Sequence, residues 1–391
     1  MKGTVISVGF MPLADAAPLI VAQEMGFAAE EGLALDLRRA PSWSSLRDML
    51  SFGQVDAAHM LSPVPVASAL GLGGARAKLS AVSVLSINGT VVGVSNALAQ
   101  QMRDKGHTFD FRDAYAAGKA LIAASGARLR IGVPFPFSMH AELLYYWLSA
   151  LGLPAPQSVD IKTVPPSLMA EAIKAGEIDA FCVGEPWGSI AVENGVGELL
   201  LPGSAIWSCA PEKVLAVRSE WAEQEAALMG RLIRAVWRAG RWLSDPESRI
   251  LRSELLARPE YLNMSPEILD RSFDGRLVIS KATPERPVDQ FMEFSQGAAS
   301  FPWRSQAEWI GGQLAARLGL DRPAALAAAG SVFRSDLYRT ALAGVTSELP
   351  TASFKVEGAV EAEMAVGSES GKLILQPNRF FDGRVFEPSL S

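Results

Sequence analysis

Four side chains that can form strong polar contacts lie where predicted strands and helices begin or end. Trp43 and His140 each open a predicted helix, Lys213 directly precedes an apolar run, and Glu185 comes immediately before Pro186. The indole N–H and the ammonium group only donate hydrogen bonds, and the indole ring can also cover a planar ligand. Junctions of this kind surround the ligand clefts of open α/β sheets, so these residues are candidates for a binding site.

Each of the four residues also has a purely structural explanation. Trp43 fits a hydrophobic staple, and His140 lies in an apolar stretch where a buried, satisfied histidine is common. A lysine that enters a strand is usually solvated, and a glutamate before proline is a common helix cap. Both explanations stay open on these residues alone.

The sequence lacks the usual catalytic and metal-binding motifs. It contains neither a Gly-x-Ser-x-Gly elbow nor a His-Glu-x-x-His pair. Three histidines, His59, His107 and His140, and two cysteines, Cys182 and Cys209, are too few for a histidine-rich or thiolate metal centre, although one disulfide stays possible. We therefore expect no enzyme activity, no catalytic residue, no metal and no cofactor.

Hydrophobic periodicity predicts the elements that must position these residues. Short β-branched runs alternate with amphipathic stretches in the first half of the chain, which is typical of βαβ units and a mostly parallel sheet. The predicted strands are 5–10, 33–38, 56–61, 79–87, 129–134, 159–164 and 179–184, and the predicted helices are about 18–31, 44–52, 138–151, 167–175 and 220–243. The fold class is therefore α/β.

The chain also repeats itself at a fixed offset. The run Gly-Gln-Val-Asp-Ala at 53–57 reappears as Gly-Glu-Ile-Asp-Ala at 176–180, and 176 − 53 = 123. The same offset pairs Gly9 with Gly132 and Pro63 with Pro186. Chance similarity between βα units is the alternative, but one register across three separated landmarks favours two similar lobes. Such lobes would place helix N-termini, which attract small anions, around a shared cleft.

Composition and charge exclude several classes of protein. The 391 residues contain 36 Lys+Arg and 42 Asp+Glu, so the net charge is −6 and no positive field exists to hold a nucleic-acid backbone. No run approaches the roughly 18 apolar residues of a membrane span. The first strand-like run starts at Val5, which leaves no room for a secretory leader of about 15–30 residues. We therefore expect a cytoplasmic protein that contacts neither nucleic acid nor membrane.

A set of motifs makes the chain similar to a known family. They are FMPLADAAPL at 10–19, SWSSLRD at 42–48, DAAHM at 56–60, VPP at 164–166, VGEPW at 183–187, PEKV at 211–214, PWRSQ at 302–306 and FFDGR at 380–384. Together they resemble the NrtA/CmpA family of nitrate-binding proteins, the substrate-binding receptors of ABC transporters. The resemblance covers nearly the whole chain, and its most specific part is Gly-Glu-Pro-Trp combined with the later Pro-Glu-Lys.

The resemblance implies a type II periplasmic-binding-protein-like fold, in which two βαβ-type lobes enclose a central ligand cleft and a C-terminal extension follows. The implied domains are 1–93 for the N-terminal part of lobe 1, 94–206 for lobe 2, 207–303 for the return to lobe 1, and 304–391 for a C-terminal helical and wrapping segment. We expect this last segment to wrap the first lobe.

The resemblance also implies which residues hold the ligand. The family pattern places a bound oxyanion among the positions matched here by Trp43, His140, the backbone turn at Pro165 and Pro166, and Lys213, with Asn88 nearby. His59 matches the pattern as a supporting residue. Glu185 is expected beside the ligand, where it either contacts the ligand or pairs with Lys213.

Nitrate suits these residues better than other oxyanions do. It is planar, stays ionised and only accepts hydrogen bonds, whereas the hydroxyl group of bicarbonate must donate one. The family's bicarbonate receptors are expected to use carboxylates and a bound calcium ion, which Lys213 would repel. Glu185 could still accept a hydrogen bond from the hydroxyl of bicarbonate, so bicarbonate stays an alternative. A sulfonate would need an apolar pocket for its tail, and the sequence does not identify one.

Because we expect no leader, the chain most resembles the family's cytoplasmic nitrate/nitrite sensors, typified by NasS. That resemblance implies that the ligand-free protein sequesters NasT, an RNA-binding antiterminator, and that nitrate or nitrite releases it, which permits expression of nitrate-assimilation genes. The first alternative is a solute-binding receptor of an ABC transporter for nitrate, or less readily for bicarbonate or a sulfonate. The second is an enzyme, since some type II folds perform cofactor-biosynthetic chemistry.

Overall fold

The computed structural model describes residues 3–74, 77–126, 128–368 and 371–389, and the strands in these ranges form two large sheets and two short hairpins. The strands are β1 (Thr4–Phe10), β2 (Leu33–Arg39), β3 (Ala57–Leu61), β4 (Leu79–Asn88), β5 (Thr90–Ser95), β6 (Arg130–Val133), β7 (Asp160–Thr163), β8 (Ala180–Gly184), β9 (Gly197–Pro202), β10 (Pro211–Arg218), β11 (Arg276–Val278), β12 (Glu285–Pro287), β13 (Met292–Glu293), β14 (Met364–Gly367) and β15 (Lys372–Leu375). All seven predicted strands are present, with ends shifted by no more than one residue.

Helices cover the faces of both sheets. They are α1 (Ala17–Glu24), α2 (Phe27–Glu30), α3 (Trp43–Ser51), α4 (Pro63–Ala69), α5 (Asn96–Asp104), α6 (Ala114–Ala124), α7 (Met139–Ala150), α8 (Met169–Lys174), α9 (Trp187–Glu193), α10 (Ser219–Gln224), α11 (Ala226–Leu243), α12 (Arg249–Ala257), α13 (Pro266–Phe273), α14 (Arg304–Leu318), α15 (Arg322–Gly330) and α16 (Ser335–Leu342). Short 3-10 turns lie at Ala14–Ala16, Pro166–Leu168, Gly203–Ala205, Pro246–Ser248 and Gln296–Ala298. Two predicted helices are each split in two, at Met25–Gly26 and at Glu225.

The two large sheets have the same topology. The first has the strand order β2-β1-β3-β10-β4-β13, and the second has the order β7-β6-β8-β5-β9. In each of these orders the fourth strand, β10 or β5, directly follows a crossing of the chain between the lobes, and it runs antiparallel to both neighbours. The α/β fold of two lobes is therefore confirmed, but the sheets are mixed rather than mostly parallel because each lobe takes in one returning strand.

The 123-residue repeat extends to the strand register. Val8 pairs with Ala57 in the first lobe, and Ile131 pairs with Ala180 in the second. Both differences, 131 − 8 and 180 − 57, equal 123. The repeat in the sequence therefore reflects two lobes with equivalent strands in equivalent register.

The repeated Gly-x-[Val/Ile]-Asp-Ala run has a structural role in both lobes. Gly53 and Gly176 adopt positive φ angles of 72° and 69°, where a side chain would strain the turn that follows each helix. The carboxylate of Asp56 accepts a hydrogen bond from a backbone N–H of β1 at 2.9 Å, and that of Asp179 accepts one from β6 at 3.0 Å. Each run thus fixes the start of the third strand against the first.

The chain crosses from the first lobe to the second at Asn88 and Gly89. The predicted boundary at residue 93 falls inside β5, which pairs along its whole length with the second sheet. The crossing lies earlier because β4 ends at Asn88, which has a positive φ of 59° and turns the chain out of the first sheet. The return crossing occupies residues 203–210.

The segment predicted to return to lobe 1 contacts both lobes. β10 completes the first sheet, but residues after α12 also reach the second lobe. Ile279 O accepts a hydrogen bond from Leu199 N in β9 at 2.9 Å, and Arg271 forms an ion pair with Glu193 of α9 at 2.5 Å. Residues 271–279 therefore bridge the lobes instead of belonging to the first alone.

The C-terminal segment packs on the first lobe, as expected, and also extends beyond it. Its helices α14 and α15 contact α4, and Arg334 N donates a hydrogen bond to Ala81 O of β4 at 2.9 Å. Phe380 stacks on Trp207 of the return crossing at a ring distance of 4.9 Å, and Tyr146 of α7 donates a hydrogen bond to Asp382 at 2.8 Å. The segment thus runs over the crossing and reaches the second lobe. Residues 369–370 and 390–391 of the predicted segment 304–391 lie outside the described residues.

Two further observations concern the membrane and the cysteines. None of the helices in the described ranges has the length and apolar character that would let it cross a membrane. Cys182 lies in β8 and Cys209 in the return crossing, and both are free thiols rather than partners in a disulfide.

Candidate functional site

A fully buried ammonium group lies at the centre of the candidate site. Lys213 Nζ is 2.7 Å from Asp15 Oδ2 and 2.8 Å from Glu212 Oε1, and the three side chains are at most 1% exposed. Burial alone would lower the pKa of Lys213, but the two carboxylates raise it above its usual value, so the group stays charged. Lys213 is therefore neither solvated nor paired with Glu185, which were two of the sequence-based possibilities.

An irregularity in β10 brings Glu212 and Lys213 into the same site. Neighbouring residues of a regular strand point to opposite faces of the sheet. The pairing of β10 with β4 shifts register on both sides of Lys213, as in a β-bulge. Such an irregularity re-aims side chains, and here the ammonium and carboxylate groups of adjacent residues meet at 2.8 Å.

Asp15 joins the ammonium group to a histidine behind it. The residue lies in the 3-10 turn just before α1, and its Oδ1 atom is 2.9 Å from His59 Nε2. His59 Nδ1 in turn accepts a hydrogen bond from Met11 N at 3.4 Å. Burial would raise the pKa of Asp15, but Lys213 and His59 lower it below its usual range, so this carboxylate is ionised. His59 therefore orients Asp15, as a supporting residue would.

Trp43 places an indole ring beside the ammonium group. It is the first residue of α3, whose N-cap Ser42 accepts a hydrogen bond from Ser45 N at 3.1 Å. Lys213 Nζ lies 5.4 Å from the centre of the ring, within the range of a cation–π contact. The indole Nε1 is buried and has no hydrogen-bond partner among the described residues. A buried N–H donor without a partner costs free energy unless a ligand or water accepts from it.

His140 enters the site from the second lobe. It follows the N-cap Ser138 at the start of α7, and its Nδ1 atom is 3.2 Å from Glu212 Oε1. Neither ring nitrogen forms a hydrogen bond within the described part of the chain. Burial, and then the nearby Lys213, hold the pKa of His140 well below its usual value, so the ring is neutral in this structure.

Gly184 supplies the backbone surface at the carboxyl end of β8. A Cβ atom on this glycine would lie 2.8 Å from Leu13, 3.6 Å from His140 Nε2 and 3.7 Å from Asp15 Oδ2. A side chain on this residue would therefore collide with Leu13 and would contact both polar atoms, so glycine lets the strand end lie close to the cluster. Gly184 corresponds to Leu61 of the first lobe under the 123-residue offset, since 184 − 61 = 123.

Of the two carboxyl groups that contact Lys213, those of Asp15 and Glu212, the Glu212 group is the weaker acid. Burial raises its pKa to about 7, and Lys213 only partly offsets the effect. Its second oxygen, Oε2, is buried without a hydrogen-bond partner in the described residues. The site therefore contains a carboxyl group that changes protonation near neutral pH.

The structure does not bring the Asn88 amide group into this cluster. Asn88 Nδ2 donates to Ser208 O at 2.9 Å and to Gln290 O at 3.1 Å, and Oδ1 accepts from Ala210 N at 3.1 Å. These bonds join the two chain crossings. In this arrangement both polar atoms of the amide already have backbone partners, so the side chain ties the crossings together.

Pro166 lies in the second lobe at the position that corresponds to Trp43 in the first, since 166 − 43 = 123. It is buried and begins a 3-10 turn after the carboxyl end of β7. Because Pro165 and Pro166 have no N–H group, a backbone donor from this turn can come only from Ser167 onward.

Glu185 and its neighbour hold the two lobes together. Glu185 accepts hydrogen bonds from Ser189 N at 3.1 Å and from Ser272 Oγ at 3.2 Å, and burial raises its pKa to about 7. Its backbone O accepts from Ala14 N at 3.0 Å, and Trp187 Nε1 donates to Pro12 O at 3.0 Å. Glu185 therefore lies at the contact between the lobes and not on the ammonium group of Lys213.

No group of three or more His, Cys, Asp or Glu side chains in residues 3–74, 77–126, 128–368 and 371–389 is arranged to hold a metal ion. In the described residues, the buried polar atoms of the cluster without a hydrogen-bond partner include the indole N–H of Trp43, both ring nitrogens of His140 and one oxygen of Glu212. Chemically, the arrangement offers N–H donors next to a buried cation.

Comparison with known sequences places the chain in a family. The profile of the NMT1-like family matches residues 2–257, which is more than half of the chain. The chain belongs to the NMT1-like family. The nitrate/nitrite binding protein NrtA of Synechococcus elongatus is 30% identical over 98% of this chain and 83% of NrtA. This member of the NMT1-like family is therefore also one of the NrtA/CmpA-like group, as its motifs predicted.

A longer relative and a solved structure extend the comparison of this NMT1-like protein. The nitrate import ATP-binding protein NrtC of Synechococcus elongatus is 33% identical over 89% of this chain. The chain spans about half the length of that relative, 51%. The crystal structure of the periplasmic nitrate-binding protein NrtA from Synechocystis PCC 6803 matches with a TM-score of 0.84 and 25% identity, covering 99% of this chain and 96% of that one. This likeness confirms the predicted fold.

The sequence analysis did not single out Asp15, Gly184 or Glu212 as site residues. Signals for two of them were present, since Glu212 directly precedes Lys213, and Asp15 corresponds under the repeat to the helix cap Ser138, because 138 − 15 = 123. Asp15 instead leaves its own helix without a side-chain cap and binds Lys213. That change of partner depends on the packing of β10 against the first lobe, which no local pattern reveals.

Proposed function

We propose that this protein binds nitrate and nitrite reversibly between its lobes, as a solute-binding receptor of the NrtA type. One observation carries the proposal: the N–H groups of Trp43 and His140 are buried beside the ammonium group of Lys213 without hydrogen-bond partners among the described residues. Such donors need an acceptor, and a small anion that only accepts hydrogen bonds would satisfy both.

The two donors come from different lobes, which suits a receptor that closes on its ligand. Trp43 begins α3 in the first lobe and His140 lies in α7 of the second. An anion bound by both would stabilise the closed arrangement over an open one, since the open arrangement offers it only one of them. The full burial of the cluster also strengthens each charge-assisted hydrogen bond, because water does not compete with it.

Bicarbonate is the second candidate, and the structure changes which residue favours it. The oxygens of Glu185 already accept hydrogen bonds from Ser189 and Ser272. Glu212 Oε2, in contrast, is a buried acceptor without a partner in the described residues, so it could accept from the hydroxyl group of bicarbonate. Glu212, rather than Glu185, is therefore the residue that leaves bicarbonate as an alternative ligand.

Between a transport receptor and a sensor, the relatives favour the receptor. The similar proteins are named for nitrate binding and nitrate import. A cytoplasmic location, release of the antiterminator NasT by nitrate or nitrite, and the absence of enzyme activity stay predictions from the sequence. Co-purification of NasT with the ligand-free protein, lost on addition of nitrate, would favour the sensor. Conversion of bound nitrate to another product would favour an enzyme.

Calorimetric titration with nitrate, nitrite, bicarbonate plus calcium, and an alkyl sulfonate tests the proposed ligand. We expect saturable binding of nitrate and nitrite. Binding of the sulfonate alone, or of bicarbonate alone, would contradict the proposal and assign the protein to another branch of the family.

The substitution Trp43→Phe tests the donor that carries the proposal. It keeps an aromatic ring but removes a hydrogen bond to a charged ligand, which is worth about 1.5–3 kcal/mol, so nitrate affinity should fall about 10- to 100-fold. Thermal stability should also fall, because Trp43 is fully buried and the smaller ring leaves a cavity.

Trp207→Phe is the matched control for Trp43→Phe. Trp207 Nε1 is likewise buried without a described partner, but its ring packs on Trp309 and Phe380 beneath the C-terminal segment. Nitrate affinity should stay at the wild-type value in this variant. Equal loss of affinity in both variants would show that the effect is one of packing and would remove Trp43 from the site.

A further inference from the structure

The charges already present in the site leave no positive charge for an anion. The ammonium of Lys213 is paired with the carboxylates of Asp15 and Glu212, so one cation faces two anions when both acids are ionised. A bound nitrate would bring the buried cluster to a net charge of −2. Uncompensated charge is expensive to bury, so the site needs a further positive charge when the anion enters.

The position of His140 points to where that charge is added. One ring nitrogen, Nδ1, faces Glu212 Oε1 at 3.2 Å, and the other, Nε2, lies near Gly184 without a hydrogen-bond partner in the described residues. A neutral imidazole carries one proton, so it can donate either to Glu212 or to the anion, and its remaining lone pair then faces a negatively charged acceptor. A ring flip exchanges the two nitrogens and leaves this conflict unchanged.

We propose that the site takes up one proton together with the anion, and that this proton is shared between His140 and Glu212. With the added proton, both ring nitrogens have a favourable partner: one contacts the anion and the other contacts Glu212. The ligand is then bound as the anion plus a proton, and Glu212 sets the proton stoichiometry of binding. This inference rests on the proposed function, because it concerns the same site and the same anion.

The groups that face the His140–Glu212 pair support this assignment. They are Asp15 from the 3-10 turn before α1, His59 from β3, Cys182 from β8 and Lys213 from β10. Asp15 is ionised and Lys213 is charged. Burial lowers the pKa of His59, so its ring resists a second proton. Burial raises the pKa of the Cys182 thiol well above its usual value, so the thiol stays protonated. None of these four groups is therefore expected to gain a proton near neutral pH, which leaves the His140–Glu212 pair. The Glu212 pKa of about 7 agrees with this assignment.

The predicted linkage has a definite direction with pH. Above the pKa of Glu212 the pair lacks the extra proton before binding, so about one proton is taken up per anion and the Kd should rise up to about tenfold for each pH unit. Well below that pKa, Glu212 is already protonated, and proton uptake should fall toward zero.

Calorimetric titration of the full chain with sodium nitrate measures this proton uptake when it is repeated in amine buffers with different heats of ionisation: Tris, triethanolamine and imidazole at about pH 8, and bis-Tris and imidazole at about pH 6. At about pH 8 we expect nearly one proton per nitrate in the wild type, decreasing toward zero at about pH 6. In Glu212→Gln the uncharged amide can donate to Nδ1, so uptake should be near zero and the Kd should not change over this range.

Glu293→Gln is the matched control. Glu293 lies in β13, outside the cluster, and burial raises its pKa to about 7 as well. This variant should keep the wild-type uptake of about one proton at about pH 8.

Binding of nitrate by the wild type without proton uptake at about pH 8 would overturn this inference alone. Uptake of about one proton by Glu212→Gln would also overturn it. If Glu212→Gln does not fold, proton uptake by the wild type at about pH 6 and about pH 8 still tests the inference. Equal proton uptake per nitrate at both pH values would contradict it. Absence of any nitrate or nitrite binding would instead overturn the proposed function, and this inference with it.

Discussion

At the scale of single residues, the buried charges of the candidate site depend on one another. Replacing a buried ion pair by apolar residues is often neutral or stabilising, but removing one partner leaves an uncompensated charge at a cost of about 3–5 kcal/mol. Lys213→Ala would leave Asp15 and Glu212 without their cation, so it would lower the stability of the protein as well as its affinity. Comparison of Trp43→Phe with its control Trp207→Phe separates binding from stability more cleanly.

A second buried carboxyl, that of Glu293, predicts a pH dependence of stability. Burial raises its pKa in the folded protein to about 7, from a usual value of 4.5. The folded state therefore binds this proton more tightly than the unfolded state does. Stability from this group is fully present below about pH 4.5 and is lost as the pH rises toward 7, by at most roughly 3 kcal/mol.

Glu293→Gln removes that titration and should stabilise the protein at high pH. We expect an increase of about 1–3 kcal/mol in the free energy of unfolding at about pH 8, and no gain at about pH 4.5. Urea denaturation at both pH values measures the difference. The same gain at both values would show that the effect does not come from ionisation of Glu293.

At the scale of elements, α7 joins the ligand site to the C-terminal segment. His140 lies at its first turn in the site, and Glu142 forms two bonds with Arg317 of α14, at 2.6 and 2.7 Å. Tyr146, one turn after Glu142 on the same side of the helix, donates to Asp382. One face of α7 therefore meets the ligand site, and another is held by residues that follow the two lobes in the chain.

The Arg317–Glu142 pair should behave as a buried ion pair. Glu142 is fully buried, and burial raises its pKa although Arg317 opposes the effect. Arg317→Met leaves the carboxylate without its partner and should reduce the free energy of unfolding by about 3–5 kcal/mol, whereas Arg317→Met combined with Glu142→Leu should recover most of that loss. Denaturant unfolding of the two variants measures both values. A single variant as stable as the wild type would show that the pair contributes nothing.

At the scale of the whole molecule, a few polar contacts hold the lobes together around the site. The crossings are tied by Asn88, and Trp187 Nε1 of the second lobe donates to Pro12 O of the first at 3.0 Å. A contact that exists only when the lobes are closed adds to apparent ligand affinity, because the ligand needs the closed arrangement.

Trp187→Phe should therefore weaken nitrate binding although Trp187 is not a proposed ligand. A hydrogen bond worth about 0.5–1.5 kcal/mol corresponds to a loss of about 2- to 12-fold in affinity. Titration calorimetry measures the affinity, and small-angle scattering of the ligand-free variant should show a larger radius of gyration than the wild type. Trp237→Phe, a change within α11 of the first lobe, should alter neither value. An unchanged affinity in Trp187→Phe would contradict the closing role of this contact.

The sequence by itself determined the plan of the molecule. Periodicity placed the seven strands β1–β4 and β6–β8, and the 123-residue repeat predicted two lobes in equivalent register, because strand period and turn glycines are local properties of the chain. The antiparallel strands β5, β9 and β10 were not among the predicted strands. Their partners are distant in sequence, and their apolar runs have no alternating pattern, since these strands are almost wholly buried.

Only the tertiary structure decided how the site is charged. Trp43, His140 and Lys213 were indicated by the family motifs, but the pairing of Lys213 with Asp15 and Glu212 was not. This pairing depends on the irregular register of β10, which directs the adjacent side chains of Glu212 and Lys213 toward the same site. It also depends on the contact of Lys213 with Asp15, which lies 198 positions away in the sequence. Charge balance in a buried cluster is a property of the groups that packing brings together, so a donor can be predicted from its residue type, whereas its partners cannot.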